Sequence, residues 1–279
     1  ISTDTRTLNK GSLFIAIKGN FFDGNNHIDK AIKKGASLII SDSKEYLDSK
    51  NKRIIYVKNS VLALKKIAKN IIKEYQGNII GITGSNGKTT TTQLITNSIK
   101  RSSSTLKNFN NEIGMPLSII NANPKSKTLV IEMGASKPKD IHYLSSVLKP
   151  SIGVITNIGN SHLENLINIK GVLKVKSELV PNIRKNGYLV VPSENPSHLK
   201  FWSNIRNDIH IITFGLKSNA DFYSTNIRNY SNRTEFNICS KKYNLSIKIT
   251  TTLLGDHNIK NILATFAAGF CINNPIDSF

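Results

Sequence analysis

The run Gly81-Ile-Thr-Gly-Ser-Asn-Gly-Lys-Thr-Thr90 constrains this chain more than any other segment. It follows the apolar stretch Asn78-Ile-Ile80 and precedes Thr91–Lys100, so the order is strand, glycine loop, helix. That order builds a phosphate cradle. Gly84 and Gly87 let backbone N–H groups converge without a Cβ in the way, and the helix offers its positive end. Lys88 brings a point charge and Thr89 a hydroxyl suited to a magnesium ion. The general P-loop pattern would need a glycine at Ile82, whereas the glycine stands at Gly81. The loop is therefore a short variant, with Thr83, Gly84, Ser85, Asn86, Gly87, Lys88, Thr89 and Thr90 as its candidate nucleotide contacts.

Around the loop the sequence divides in two. Residues 1–77 read as a small α/β unit with strands at Ser12–Ile17, Ala36–Ile40 and Arg53–Val57. Helices are expected at Ile28–Lys34 and at Ser60–Tyr75, the second behind a serine cap. From Asn78 to Phe279 strands alternate with helices. Strands fall at Ile79–Thr83, Thr128–Met133, Ile152–Asn157, Tyr188–Val191 and Ile209–Phe214, and helices at Ile141–Leu148, Val172–Ile183 and His198–Ile205. This alternation predicts a doubly wound, mostly parallel sheet with ligands at the carboxyl ends of its strands. Between Asp221 and Thr252 polar and apolar residues alternate, which predicts an added antiparallel β section. A last helix follows Gly255.

Composition narrows the function. No apolar run approaches the length of a membrane span, and no basic-then-apolar leader opens the sequence, so a cytoplasmic location is expected. Cys239 and Cys271 show neither metal spacing nor a disulfide framework. A net charge of +20 invites nucleic acid, but the lysines are scattered and aromatic residues make up 7%, so a compositional bias explains the charge and no nucleic-acid partner is expected. An anionic small substrate would still gain from the positive field.

Three further segments end strands of the larger unit or flank its loop. Val130–Ala135 places Glu132 where a buried strand emerges, opposite the cradle, as a metal ligand would be. Ile155–Glu164 carries His162 in a loop. Asn108-Phe-Asn-Asn-Glu-Ile-Gly-Met-Pro116 packs amides and an acid around one aromatic residue, as a loop beside a γ-phosphate would.

Together these residues resemble the Mur ligase family, the ATP-dependent amide-bond-forming enzymes of peptidoglycan synthesis. The phosphate loop carries the likeness to the wider superfamily. Asn108–Pro116, Glu132–Ala135, Thr156–Gly159 and Ser161–Glu164 carry it to the members that add a dipeptide. The resemblance extends to Ser2–Arg6, Gly11–Gly19 and Asp23-Gly24, which are similar to the family's uridine-nucleotide-binding first domain. It implies ATP and Mg²⁺ as cofactors, UDP-N-acetylmuramoyl-tripeptide and D-alanyl-D-alanine as substrates, and a monomer. Carried over by position, it implies Lys88, Lys176, His162, Asn110 and Asn111 as catalytic residues, and Thr89, Glu132, His162 and Lys176 as metal ligands. Lys176 would be a carbamylated lysine. His257, Asn258 and Asn261 would lie near adenine, and Ser2, Thr3, Arg6, Asp23 and Gly24 near the UDP substrate. The chain departs from the family pattern at Asn25, where a histidine is usual, and at Leu166–Asn168 and around Lys176, at Leu173, Val175 and Ser177. The family's third, C-terminal domain would follow Phe279, so a shortened product is expected.

Overall fold

The computed structural model describes residues 1–159 and 168–275. In the first unit three apolar runs form strands: Leu13–Ile15 (β1), Leu38–Ser41 (β2) and Ile54–Tyr56 (β3). They pair in parallel in the order β1-β2-β3. Parallel neighbours need a crossover, and helix α1, Ile28–Lys33, lies on the one between β1 and β2. Its Ile28 and Ala31 pack on Phe14, Ala16 and Ile39.

Helix α2, Ser60–Glu74, buries Leu64, Ala68 and Ile72 at successive turns. Its cap is Asn59, not the expected serine. Asn59 has the extended backbone of a cap, and its Oδ1 accepts the Leu62 N–H at 2.8 Å. Ser60 is the first helical residue instead, its backbone N–H donating to Asp42 Oδ2 at 3.1 Å.

The larger sheet begins with Asn78–Thr83 (β4), followed by helix α3 (Lys88–Ser98) and the edge strand β5 (Ser102–Ser104). Helix α4 (Gly114–Ile120), β6 (Thr128–Glu132), α5 (Asp140–Leu148) and β7 (Ile152–Ile155) come next. Helix α6 (Ile169–Ser177), β8 (Tyr188–Pro192), α7 (Pro196–Ser203) and β9 (His210–Gly215) continue the alternation. Strands β10 (Phe222–Asn229), β11 (Thr234–Ser240) and β12 (Leu245–Thr251) precede helix α8, Asp256–Phe270. The spatial order is β12-β11-β10-β9-β8-β7-β4-β6-β5. Every pair from β5 to β10 is parallel, and β10-β11-β12 is antiparallel, as the sequence pattern predicts.

Successive residues of the central strands serve two cores on opposite faces. Ile79, Leu129 and Ile131 join one, whereas Ile80, Ile82 and Val130 join the other. β4 has β6 on one side and β7 on the other, so the chain changes winding direction around it. A doubly wound sheet leaves its ligand crevice at such a point.

In the larger unit the structure departs from the sequence expectations at β5, α4, α6 and α3. β5 is three serines, with no apolar signal, and forms only because it lies along β6. Helix α4 is hidden in the sequence by Pro116, but that proline sits in the first turn, where a missing N–H removes no intrahelical bond. Helix α6 stops at Ser177 rather than Ile183, because Pro181 instead starts a one-turn 3₁₀ segment, Val180–Asn182. Helix α3 starts at Lys88, three residues before Thr91, since Gly87 caps it in a left-handed conformation.

Helix α2 ties the two sheets together. Leu64, fully buried, shares a core with Ile15 of β1 and Leu117 of α4, while Ala68 and Ile72 meet Met115 and Ile119. Truncating Leu64→Ala leaves a cavity between both units and should cost about 2–5 kcal/mol, read by urea denaturation. A loss below about 1 kcal/mol would show that this junction carries no such weight.

Candidate functional site

β4 delivers its carboxyl end into the glycine loop, and the end of β7 fastens that loop from the side. Gly84 has φ +148°, and a Cβ there would run into Thr156 Oγ1. Gly87 has φ +78° and would meet Asn261 Oδ1. Both positions combine a backbone that side chains disfavour with a close neighbour. Thr156 Oγ1 donates to the Asn86 carbonyl at 2.5 Å, and the Asn86 N–H donates to Asn157 Oδ1 at 2.8 Å. Ser85 Oγ donates to the Gly159 carbonyl at 2.9 Å. The cradle is thus preformed, its Asn86 and Gly87 lining an open cavity.

Lys88 opens α3 and folds its ammonium back over the loop, donating to the carbonyls of Gly84 at 3.0 Å and Ser85 at 3.1 Å. Burial lowers its pKa from the ordinary lysine value, and Glu132 opposes that shift. A cation held at the head of a helix beside loop amides is an arrangement that favours anions.

Glu132 ends β6 with 2% exposure. Its Oε2 accepts the Thr89 hydroxyl at 2.8 Å, and its Oε1 accepts the Asn110 Nδ2 at 2.8 Å. The expected acid, loop hydroxyl and amide segment therefore meet at one carboxylate, which forms no ion pair among the described residues. Asn110 is steadied in turn by its carbonyl, which accepts the Gly134 N–H at 2.8 Å. Asn111 serves the backbone instead, its Oδ1 accepting the N–H groups of Ile113 at 3.2 Å and Gly114 at 2.8 Å and so fixing the start of α4.

Lys176 on α6 is 1% exposed, and no ion pair or hydrogen bond reaches its Nζ among the described residues. Burial first, and the like charge of Lys88 second, pull its pKa down to about 8, with Asp140 and Glu178 opposing. At that value a substantial neutral fraction exists near physiological pH. His162 lies outside the described residues. Among those described, no three His, Cys, Asp or Glu residues gather as a metal cluster.

Two cavities flank the cradle. One of about 590 Å³ is lined by Asn86, Gly87, Thr90, His257, Asn258 and Asn261, so the expected adenine-side residues do reach the loop. Lys260 lines it too and pairs with Glu194 at 2.6 Å, a contact between distant segments that no local sequence pattern announces. The second, of about 1100 Å³, runs from Lys88, Asn110 and Asn111 to Lys65 and Tyr143. Sequence reasoning missed its α5 wall, where Glu178 accepts the N–H groups of Lys139 at 2.7 Å and His142 at 3.0 Å.

The uridine-side candidates line neither cavity. Ser2 Oγ donates to the Asp4 carbonyl at 2.9 Å, and Arg6 forks onto the Asp4 carboxylate, with Nη2–Oδ2 at 2.8 Å. Asp23 Oδ1 accepts the Asn25 N–H at 2.9 Å, capping a 3₁₀ turn that contains the buried Gly24. Thr3 stands half-buried between these groups in sequence.

Residues 82–269 match the profile described as Mur ligase middle domain, and residues 1–73 that of Mur ligase family, catalytic domain. The chain is 36% identical to the UDP-N-acetylmuramoyl-tripeptide–D-alanyl-D-alanine ligase of Buchnera aphidicola subsp. Baizongia pistaciae, covering 99% of this chain and 60% of the relative. Against the enzyme of that name from Bacillus subtilis it is 32% identical, over 96% of this chain and 58% of the relative. The chain thus spans about three fifths of the length of these curated relatives. Among solved structures, the MurF ligase of Thermotoga maritima in complex with ADP superposes with a TM-score of 0.88 at 28% identity, covering 100% of this chain and 64% of that one. MurF from Acinetobacter baumannii shares the fold with a TM-score of 0.89 at 24% identity, covering 99% and 60%.

The buried Lys176 generates a stability test. Its folded pKa lies below its unfolded one, so the unfolded chain binds more protons between pH 8 and 10.5 and stability rises with pH across that window. In carbon-dioxide-free buffer, Lys176→Met should stabilise the chain at pH 7 by on the order of 3 kcal/mol, a gain that vanishes towards pH 10.5. An unchanged or lower stability at pH 7 contradicts an unpaired buried amine.

Proposed function

The chain belongs to the Mur ligase family, and from that premise we propose that it joins D-alanyl-D-alanine to UDP-N-acetylmuramoyl-tripeptide with ATP, as a cytoplasmic monomer in peptidoglycan precursor synthesis. The observation that carries this is the meeting of Thr89, Glu132 and Asn110 beside Lys88, with Asn110 and Lys88 lining a cavity of about 1100 Å³. The names of the relatives and the ADP complex of a structural neighbour support the substrates and the nucleotide. Residues 1–77 would hold the UDP end of the substrate and residues 78–279 the ATP.

In this mechanism the tripeptide's terminal carboxylate attacks the γ-phosphorus of ATP, giving an acyl phosphate and ADP. The dipeptide amine then adds to the acyl carbon, and the tetrahedral intermediate expels phosphate. Both early partners are anionic, so charge repulsion is the main obstacle. Lys88 and the loop amides lie where they can hold the phosphates and stabilise charge as it shifts to the leaving group. Asn110 orients Glu132 through its amide. Thr90, His257, Asn258 and Asn261 would enclose the nucleoside end.

The donor set fits Mg²⁺. A buried carboxylate with no ion-pair partner among the described residues, next to a hydroxyl, offers the hard oxygens such a cation takes. Glu132 and Thr89 would hold it, with His162 and Lys176 completing the set, and bound Mg²⁺ supplies charge neutralisation at the triphosphate. Lys176 fits carbamylation: its neutral amine can add to CO₂ with loss of a proton, turning a repelled cation into a carboxylate-like ligand.

Lys88→Ala should weaken ADP binding at least tenfold in calorimetric titration, with the fold unchanged by circular dichroism; unchanged affinity would exclude Lys88 from the phosphate site. ADP release should require both the tripeptide nucleotide and the dipeptide, and equal turnover with a single amino acid in place of the dipeptide would point to a different family member. With ¹³C-bicarbonate, a carbamate carbon resonance should appear and be lost in Lys176→Met; its persistence there would assign it to another amine.

A further inference from the structure

We infer that Lys65 of α2 reads a second carboxylate on the peptide arm of the acyl substrate, holding that arm across the larger cavity so that its terminal acid reaches Lys88. This rests on the function proposed above. The cavity of about 1100 Å³ is lined by both Lys88 and Lys65. Lys65 Nζ stands 3.6 Å from the centroid of the Tyr143 ring, which fixes a long side chain at the rim.

Lys65, Lys137 and Lys139 all line this cavity, and none forms an ion pair among the described residues. Asp140 of the wall and Glu178 beside it are engaged with backbone N–H groups. Asp140 Oδ2 accepts the N–H groups of Ser136 at 2.9 Å and Lys137 at 3.0 Å, and Glu178 accepts those of Lys139 and His142. These bonds hold the 136–140 turn, including Lys139 at φ +74°, a backbone that lysine disfavours. The result is a basic rim without its anion. Glu112 is the remaining acid that lines the cavity; burial raises the Tyr143 phenol pKa, and the charge of Glu112 adds to that rise. Burial and the neighbouring Lys69 lower the pKa of Lys65, so its ammonium gains from an arriving anion.

The occupant follows from the path. α2 closes the unit proposed to hold UDP, and its Lys65 lines the same cavity as Lys88, so a substrate that spans from that unit to Lys88 through this cavity comes within its walls. A peptide arm containing a glutamyl residue, like the alanyl-glutamyl-diaminopimelyl chain named for a structural neighbour, carries a carboxylate besides the reacting one.

The test is calorimetric binding of three probes to the whole chain: UDP-N-acetylmuramoyl-alanyl-γ-glutamyl-diaminopimelate, the same nucleotide with its glutamyl α-carboxylate amidated, and peptide-free UDP-N-acetylmuramate. The native chain should favour the first over the second by about tenfold, the scale of one charge-assisted hydrogen bond. Lys65→Met should erase that preference and leave binding of the peptide-free nucleotide unchanged, and Lys65→Arg should keep much of it. A Lys65→Met chain that still discriminates overturns the inference. So does equal weakening for all three probes, which would make Lys65 only a staple between α2 and α5. If the native chain binds none of the three, the proposed function fails as well, an outcome distinct from loss of discrimination alone.

Discussion

The site depends on a single buried carboxylate. Glu132 ends a central strand at 2% exposure and holds the Thr89 hydroxyl with one oxygen and the Asn110 amide with the other. A buried anion is costly without such partners, so three segments far apart in the chain are drawn to one point. β4 and β6 are hydrogen-bonded neighbours, which places the glycine loop and Glu132 side by side before any side chain is considered. The β7 end then closes the other flank, through Thr156 and Asn157.

Electrostatics around that point are strained in an informative way. Two lysines, Lys88 and Lys176, have their pKa lowered mainly by burial, and the charge of Lys88 lowers that of Lys176 further. Lys88 finds loop carbonyls, whereas Lys176 finds no partner among the described residues. An arrangement of unpaired buried charge is poor for stability and good for gathering anions. In the proposed reaction a triphosphate and a carboxylate would supply the missing negative charge. The basic rim at Lys65, Lys137 and Lys139 extends the same pattern outward.

How much of this the sequence reveals depends on whether a signal is local. Strand, glycine loop and helix are contiguous, so the cradle and its place in a doubly wound sheet are legible from residues 78–100 alone. The antiparallel section is legible too, because alternation marks Thr234–Ser240. Asn110 and Glu132 could be named as candidates, but their direct bond is a consequence of β5 lying beside β6, which brings the loop after β5 to the end of β6. Lys65, Tyr143 and Glu178 stayed invisible because a cation–π contact and a carboxylate capping another helix leave no periodic trace. β5 and α4 were missed for related reasons: serines on an edge strand have no hydrophobic pattern, and a proline in a first turn imitates a break. Asn111, a candidate for catalysis by resemblance, is engaged with the start of α4 through both lone pairs of its Oδ1, so its free hydrogen-bonding capacity is limited to its amide N–H groups.

The most direct measurement is a crystal structure of the chain with ADP and Mg²⁺. The β-phosphate should lie against the Gly84–Lys88 amides and the Lys88 ammonium, the adenosine towards Asn258 and Asn261, and the metal between Thr89 and Glu132. Density for the nucleotide elsewhere, or a Glu132 carboxylate that keeps both its present bonds while the metal binds away from it, would contradict the central claim.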